Sequence, residues 1–173
     1  VFIMDDGQVY VVGQGDDDWE SPIKKPIVYF SGAKSIGRGH AIAVGIRRSV
    51  YVRSAANNWV QLDSGLFPQG TKTNLEDSGF RDIDGFSETD MYASGGRADL
   101  WHYDGSVWTK IDLPTNAVLE NICCAEDGFV YMTTNQRTIV KGRGATWEII
   151  EQEETDDVLE SIVYYNGKVL VST

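Results

Sequence analysis

The chain of 173 residues contains little of several residue types, and each shortage excludes a class of protein. It has 2 cysteines, 2 histidines and 4 prolines. The cysteines, Cys123 and Cys124, are adjacent, so they do not form a disulfide framework or a four-cysteine metal site. Buried free thiols are typical of a reducing compartment, and we therefore expect a cytoplasmic protein. The sequence nominates no catalytic residue, metal ligand or cofactor.

Long hydrophobic runs and positive charge are also scarce. No apolar run approaches the roughly 18 residues that span a bilayer, so we expect no membrane insertion. No secretory leader is visible at the start of the sequence. The net charge is -11, from 15 Lys and Arg against 26 Asp and Glu. Such a field repels phosphate backbones, so we expect no nucleic-acid partner.

The acidic residues are densest in two segments, 16–18 and 148–160, the second of which has no cation. One interpretation is a pair of solvated loops; the other is a surface for a basic protein partner, because complementary charge speeds encounter. The spacing in 16–18 is not that of a 12-residue calcium loop. The residues predicted to bind the partner are Asp16, Asp17, Asp18, Glu148, Glu151, Glu153, Glu154, Asp156 and Asp157.

What the sequence does contain is a repeat. Short runs rich in Val, Ile, Tyr and Phe alternate with clusters of Gly, Asp, Asn and Ser, and helical periodicity is hard to find. An apolar run, a polar turn and a second apolar run recur five times, with Val9, Val50, Met91, Val130 and Val169 at matching positions. These positions are 41, 41, 39 and 39 residues apart. Pairs such as Asp84–Gly85 and Asn166–Gly167 predict hairpin turns within the repeats.

Each repeat carries further strand-like segments in which tryptophan recurs, and we predict that Trp59, Trp101, Trp108 and Trp147 form a structural core between sheets. Four short strands in about 40 residues are typical of one β-propeller blade. The sequence therefore predicts an all-β propeller of four-stranded antiparallel blades, with four to five blades in this chain. It covers residues 1–173 as a single domain or as a fragment of a larger ring. The predicted repeats are 1–39, 40–79, 80–118, 119–157 and a partial 158–173.

One segment carries a resemblance to known proteins. Residues 89–108 read Thr-Asp-Met-Tyr-Ala-Ser-Gly-Gly-Arg-Ala-Asp-Leu-Trp-His-Tyr-Asp-Gly-Ser-Val-Trp. This phrase resembles the blades of bacterial β-propellers of the YVTN, BNR and kelch-like group, and the resemblance is strongest over 80–150. It implies a fold and little about activity. The chain lacks the Ser-x-Asp-x-Gly-x-x-Trp box of the sialidase-like branch, so sialidase chemistry is not implied.

Three kinds of function remain open at this point. The favoured hypothesis is a non-enzymatic bacterial scaffold, such as an immunity or adaptor protein, whose acidic surface binds a basic toxin or effector. Pairing of an exposed strand edge with another chain is a further expectation. A lectin-type propeller is the alternative, and it predicts exposed aromatic residues in a shallow pocket on every blade. A propeller lyase or hydrolase would need polar residues clustered at the central channel, and the sequence indicates none.

Overall fold

The chain forms five antiparallel β-sheets that follow one another along the sequence. The structure is a computed structural model, and it describes residues 1–4, 7–13, 17–23, 29–37, 40–66, 79–151 and 156–173. All the regular structure in these ranges is β-strand. Within them, no helix has the length and apolar character needed to cross a bilayer.

The first two sheets occupy the N-terminal part of the chain. Blade 1 is described with three strands, β1 (Phe2–Ile3), β2 (Val9–Val11) and β3 (Asp18–Glu20). Blade 2 has four strands, β4 (Phe30–Ile36), β5 (His40–Gly45), β6 (Ser49–Ala55) and β7 (Asn58–Gln61). In both blades the strands pair in chain order, as in a meander.

The other three sheets have the same topology. Blade 3 contains β8 (Phe80–Ser87), β9 (Asp90–Gly95), β10 (Asp99–Tyr103) and β11 (Trp108–Ile111). Blade 4 contains β12 (Leu119–Cys124), β13 (Val130–Thr134), β14 (Ile139–Arg143) and β15 (Thr146–Ile150). Blade 5 contains two described strands, β16 (Ser161–Tyr165) and β17 (Lys168–Ser172).

The blades stack side by side through their first strands. Strand β8 contacts β4 on one side and β12 on the other, and β12 in turn contacts β16. These four strands are therefore the inner strands of a fan, and β7, β11 and β15 form its outer rim. The predicted propeller of four-stranded antiparallel blades is confirmed. A single blade has two apolar faces, and stacking is what buries both of them.

The hydrophobic core is divided among the seams between successive blades. Residues of blades 2 and 3 form the largest cluster, in which Trp101 and Trp108 are 4% and 2% exposed. Trp59 packs in the cluster between blades 1 and 2, and Trp147 packs in the cluster between blades 3 and 4. Both of these rings are half-buried. The four tryptophans predicted as core thus all lie at seams, and two of them keep part of the ring in solvent.

The spacing of the repeat conceals a shift of one strand. Phe30 pairs with Gly45, and Phe80 pairs with Gly95, so the inner strands of blades 2 and 3 begin 50 residues apart rather than 41. As a result Val50 lies in the third strand of its blade, whereas Met91 lies in the second strand. Val50 and Met91 are nevertheless 41 residues apart, because the long connection 62–79 adds about as many residues as separate the starts of two neighbouring strands. The predicted boundary at 39/40 therefore separates β4 from β5, which the structure pairs in one sheet.

The predicted hairpin turns have different outcomes. Asn166 and Gly167 connect β16 to β17 with positive φ angles of 49° and 78°, as a tight hairpin requires. Asp84–Gly85 is not a turn, because both residues lie inside β8. Asp127–Gly128 is also followed by phenylalanine and does lie in the turn between β12 and β13, so only the pairing partner distinguishes the two settings.

Replacing Trp108 by Ala should lower the free energy of unfolding by about 3–5 kcal/mol, because it empties a filled seam between blades 2 and 3. The indole also donates a hydrogen bond from Nε1 to the Leu62 carbonyl at 3.0 Å. Trp19→Ala is the matched control, since that ring is 52% exposed, and it should cost less than about 1 kcal/mol. Urea titrations followed by circular dichroism measure both. Equal losses in the two variants would contradict the assignment of Trp108 to the core.

Candidate functional site

The first acidic segment lies at the exposed edge of blade 1. Asp17 and Asp18 are both exposed. The Gly13 amide donates to Asp17 Oδ1 at 3.3 Å, and the Trp19 amide donates to Asp18 Oδ1 at 2.8 Å. Asp16 lies outside the described residues. The described carboxylates therefore organise the loop that enters β3 while remaining in contact with solvent.

The second acidic segment runs along the outer strand of blade 4 and beyond it. Glu148, Glu151, Asp156 and Asp157 are exposed. Glu148 lies 3.8 Å from the Lys141 ammonium. Predicted residues Glu153 and Glu154 lie outside the described residues.

Asp156 is the most exposed of these carboxylates. It accepts a 3.1 Å hydrogen bond from Arg137, and its side chain is fully exposed. Ion pairs in such settings contribute little to stability, so these residues are not needed to hold the sheet together.

The structure does not bring the two acidic segments together. The described part of the first belongs to blade 1 and that of the second to blade 4 and the chain after it, with blades 2 and 3 packed between them. Each segment would therefore have to contact a partner separately. The segment on blade 4 and the chain after it has more described exposed carboxylates than the segment on blade 1.

A polar cluster that the sequence did not indicate lies on the inner strands. Lys34 of β4 approaches Asp84 of β8, with its Nζ 3.3 Å from the carboxylate. The same ammonium donates to the Ile122 carbonyl of β12 at 3.2 Å. Lys34 therefore spans from blade 2 to blade 4 across the inner strand of blade 3.

The two aspartates of β8 connect blade 3 to blade 4. Asp82 accepts a hydrogen bond from the Ile122 amide at 3.0 Å, and Asp84 accepts one from the Cys124 amide at 2.8 Å. Burial raises the pKa of Asp82, and the charge of Lys34 opposes that rise. Both carboxylates are thus already bonded to backbone amides. The sequence did not indicate polar residues clustered on the inner strands, and the cluster found there joins the blades.

Arginine–carboxylate pairs join the outer parts of the blades. Arg48 of blade 2 donates two hydrogen bonds to Asp99 of blade 3, at 2.8 and 2.9 Å, and both side chains are buried. Trp101 closes this site: its Nε1 donates to Asp99 at 2.9 Å, and its ring lies 5.0 Å from the guanidinium carbon of Arg48. Arg53 makes an equivalent connection to Glu20 of blade 1, and it lowers the pKa of that carboxyl group.

Both histidines bond to carboxylates at the β8–β9 hairpin. His40 Nδ1 lies 2.7 Å from Glu88, and His102 Nε2 lies 2.8 Å from Asp90. Asp90 also accepts a hydrogen bond from Arg143 of blade 4. Each imidazole is therefore placed to connect strands and seams, and no hydrogen bond described joins either ring to a serine or cysteine side chain.

Both cysteines are free thiols. Cys124 lies at the seam between blades 3 and 4, and Cys123 lies at the seam between blades 4 and 5. Burial raises the pKa of Cys124 and of Cys123, which keeps both protonated and poorly nucleophilic at neutral pH. Within the described ranges, no three His, Cys, Asp or Glu side chains are grouped so as to hold a metal ion.

Comparison with known proteins adds two relatives. The chain is 36% identical to the immune protein Tsi7 of Pseudomonas aeruginosa over 184 aligned positions, which cover all of this chain and 57% of that protein. The chain thus spans little more than half the length of this curated relative. No protein-family model matches it.

The second relative is structural. A crystal structure of a catalytically inactive variant of virginiamycin B lyase from Staphylococcus aureus, with quinupristin, superposes with a TM-score of 0.72. The match covers 99% of this chain and 61% of the lyase at 8% identity. At that identity the likeness shows the propeller fold alone.

The pKa shifts of two aspartates predict opposite pH dependences of stability. Because burial raises the pKa of Asp82, ionising it destabilises the folded state as the pH rises above about 4. Asp82→Asn removes that cost, so its stability relative to wild type should increase between about pH 4 and pH 7. Hydrogen bonds from the amides of Val107 and Ser106 instead lower the pKa of Asp104.

The carboxylate of Asp104 therefore stabilises the fold above about pH 4, and this contribution is lost as the pH falls through the lowered pKa. The relative stability of Asp104→Asn should decrease as the pH rises over the same interval. Urea unfolding of both variants and wild type between about pH 3 and pH 7 measures the two slopes. Slopes of the same sign would contradict the prediction.

Proposed function

We propose that this chain has the role of an immunity protein, a non-enzymatic scaffold that binds a toxin and blocks it. The observation that carries the proposal is the 36% identity to an immune protein over the whole of this chain. The relative is longer, so the proposal concerns the protein to which these blades belong. A rigid fan of sheets with charged loops on its surface is well suited to binding another protein.

The chemistry of the described residues supports a binding role over an enzymatic one. Asp82 and Asp84 accept hydrogen bonds from backbone amides of the next blade, so both have a structural role in joining the blades. The thiol of Cys124 has a raised pKa, which disfavours the nucleophilic thiolate. The likeness to a lyase is one of fold at 8% identity and transfers no activity to this chain.

We further propose that the partner is basic and contacts the acidic segment of blade 4. Glu148, Glu151, Asp156 and Asp157 are exposed on a protein with a net charge of -11. Complementary charge raises the association rate and discriminates among partners, both of which an inhibitor of a toxin needs. Asp17 and Asp18 on blade 1 are a second, separate contact in this proposal.

The lectin alternative has less support. It requires an exposed aromatic residue in a similar pocket on each blade. Trp59, Trp108 and Trp147 do occupy corresponding places at the start of outer strands, but Trp108 is 2% exposed and fills its seam. The recurring tryptophans thus serve blade packing first.

Two narrower points belong to the same proposal. A cytoplasmic location agrees with the free thiols of Cys123 and Cys124. Membership of the YVTN, BNR and kelch-like group rests on the phrase at 89–108, and pairing of a strand edge with another chain rests on the open edges of the outer strands.

Deletion of the gene for this protein tests the immunity role even while the toxin is unidentified. Loss of an immunity protein should reduce viability, a plasmid copy should restore it, and suppressor mutations should map to the gene of the toxin. A gene for an unrelated cytoplasmic scaffold on the same plasmid is the control. Normal growth of the deletion strain under conditions in which the protein is normally produced would contradict the proposal.

Neutralising Glu151, Glu153, Glu154, Asp156 and Asp157 together, as Gln and Asn, should slow association with the toxin that the suppressors identify. We expect a decrease of about tenfold in the association rate at low salt and a smaller one at high salt, since screening weakens steering. The Tm should change little, because the described members are exposed. Glu126→Gln with Asp63→Asn is the control elsewhere on the surface. A collapse of the Tm would show that the segment is structural.

A further inference from the structure

The outer strands of blades 2, 3 and 4 begin in the same way. Trp59 lies opposite Arg53, Trp108 opposite Tyr103, and Trp147 opposite Gly142. In each case the ring packs toward the preceding blade. The three seams therefore place a tryptophan in the same position. What covers that ring can be compared from seam to seam.

The seam between blades 2 and 3 is filled by the chain itself. After β7 the chain turns over the Trp108 ring, and the Leu62 carbonyl accepts a hydrogen bond from the indole Nε1 at 3.0 Å. The Ser64 carbonyl accepts one from the Trp108 amide at 2.8 Å, and Leu66 is fully buried against the same cluster. A short turn that carries an apolar side chain thus closes the groove.

The corresponding groove between blades 3 and 4 is open. The connection after β11, residues 112–118, is much shorter than the connection 62–79 after β7. It leaves a cleft of about 750 Å³, which Trp147 and Ile111 line from opposite sides. The Trp147 ring is half-buried, and its Nε1 donates to the Gly144 carbonyl of its own hairpin at 2.9 Å. A volume in this range accommodates a small ligand or a few residues of a peptide.

The placement of the Trp147 indole requires a glycine at position 142, the residue that pairs with Trp147. A side chain at this position would meet the Trp147 ring, with the added Cβ 2.5 Å from the nearest ring atoms. The ring therefore lies across the strand at a residue without a side chain. It also packs at an angle against Tyr92, with the ring centroids 6.3 Å apart. The indole is held in place by these contacts before any ligand arrives.

The floor of the cleft is polar and rigid. Asp90 bonds to both His102 and Arg143 there, and His102 stacks on Tyr92 with the ring centroids 4.5 Å apart. Arg143 is further held by the Phe86 ring, whose centroid lies 3.8 Å from its guanidinium carbon. Asp90 thus pairs with Nη2 of Arg143, whereas Nη1 of the same guanidinium is buried without a hydrogen-bond partner among the described residues.

The rim of the cleft is acidic. Asp104 and Asp112 line the opening, and both are exposed. Lys110 also lines the cleft, but it lies opposite Trp101, whose ring faces blade 2. A fixed indole beside exposed carboxylates is a suitable environment for a cationic side chain.

We propose that this cleft receives an arginine-bearing segment of the protein partner, whose guanidinium stacks on Trp147 and pairs with Asp104. Arginine fits better than lysine because its planar, weakly hydrated head stacks on an indole and bonds a carboxylate at the same time. An apolar neighbour of that arginine would take the place that Leu66 fills in the preceding seam. Buried aromatic and arginine contacts of this type commonly dominate binding energy at interfaces. This inference rests on the proposed toxin-binding function and locates its anchor.

Nuclear magnetic resonance of the ¹⁵N-labelled full chain tests the cleft directly. The probe is the blocked tetrapeptide Gly-Arg-Leu-Gly, and the control probe carries citrulline, the uncharged analogue of arginine. The Trp147 indole signal and the amides of Asp104 and Gly144 should shift with the arginine peptide and saturate in the millimolar range. Citrulline should weaken the binding by about fivefold or more.

A matched pair of variants locates the effect. Asp104→Asn retains the oxygen that accepts from the Ser106 and Val107 amides and removes only the charge, so it should weaken peptide binding by about fivefold. Asp127→Asn is the control, because Asp127 likewise caps a turn, through the Phe129 amide, at another hairpin. Equal binding of the citrulline peptide, no effect of Asp104→Asn, or saturation by glucose or N-acetylglucosamine instead would overturn the inference.

The same variants separate this inference from the proposed function. If gene deletion is harmful but the identified toxin binds Asp104→Asn as tightly as wild type, the cleft is not the anchor and the immunity role stands. If the peptide saturates the cleft but gene deletion is harmless, the cleft binds arginine and the immunity role fails.

Discussion

The stacking of the blades depends on hydrogen bonds from side chains to the backbone between inner strands. An inner strand is the edge of its own sheet, so one row of its amides and carbonyls has no partner within that sheet. Asp82 and Asp84 accept from the amides of Ile122 and Cys124 in the next blade. The hydroxyl of Ser31 donates to the Phe80 carbonyl, and the Asn121 amide donates to the Glu160 carbonyl at 3.0 Å. Successive blades are thereby joined without a continuous β-ladder.

Arginines complete these seams, and this affects the surface of the molecule. Arg48, Arg53 and Arg143 each bond to a carboxylate on a neighbouring blade, so much of their positive charge is used inside the stack. The described carboxylates of segment 148–160 lie at the surface instead, where Glu148 is 3.8 Å from Lys141 and Asp156 bonds to Arg137. Part of the net negative charge that the composition shows is therefore carried by exposed residues. The placement of charged residues in the chain thus has two effects: arginines pair with carboxylates between blades, and further carboxylates lie at the surface.

The all-β architecture could be predicted from the sequence because period-2 runs and turn residues act locally. The strand register could not, since the hairpin of β5 and β6 has the same local pattern as the hairpin of β12 and β13. The bridging role of Asp82 and Asp84 was hidden for a different reason. Their partners lie about 40 residues away in another blade, and the Asp-Gly pair resembles a turn. The exposed acidic residues were easier to identify, because a charge run without cations is readily placed on a surface.

Arg48 and Asp99 lie in a dry site that the Trp101 ring covers, and this has a mechanical consequence. A satisfied buried network resists sliding, so blades 2 and 3 should behave as one stiff block. The pair between Arg143 and Asp90 is partly open to water, and it offers less resistance. Of these two seams, the one between blades 2 and 3 should therefore resist displacement more strongly.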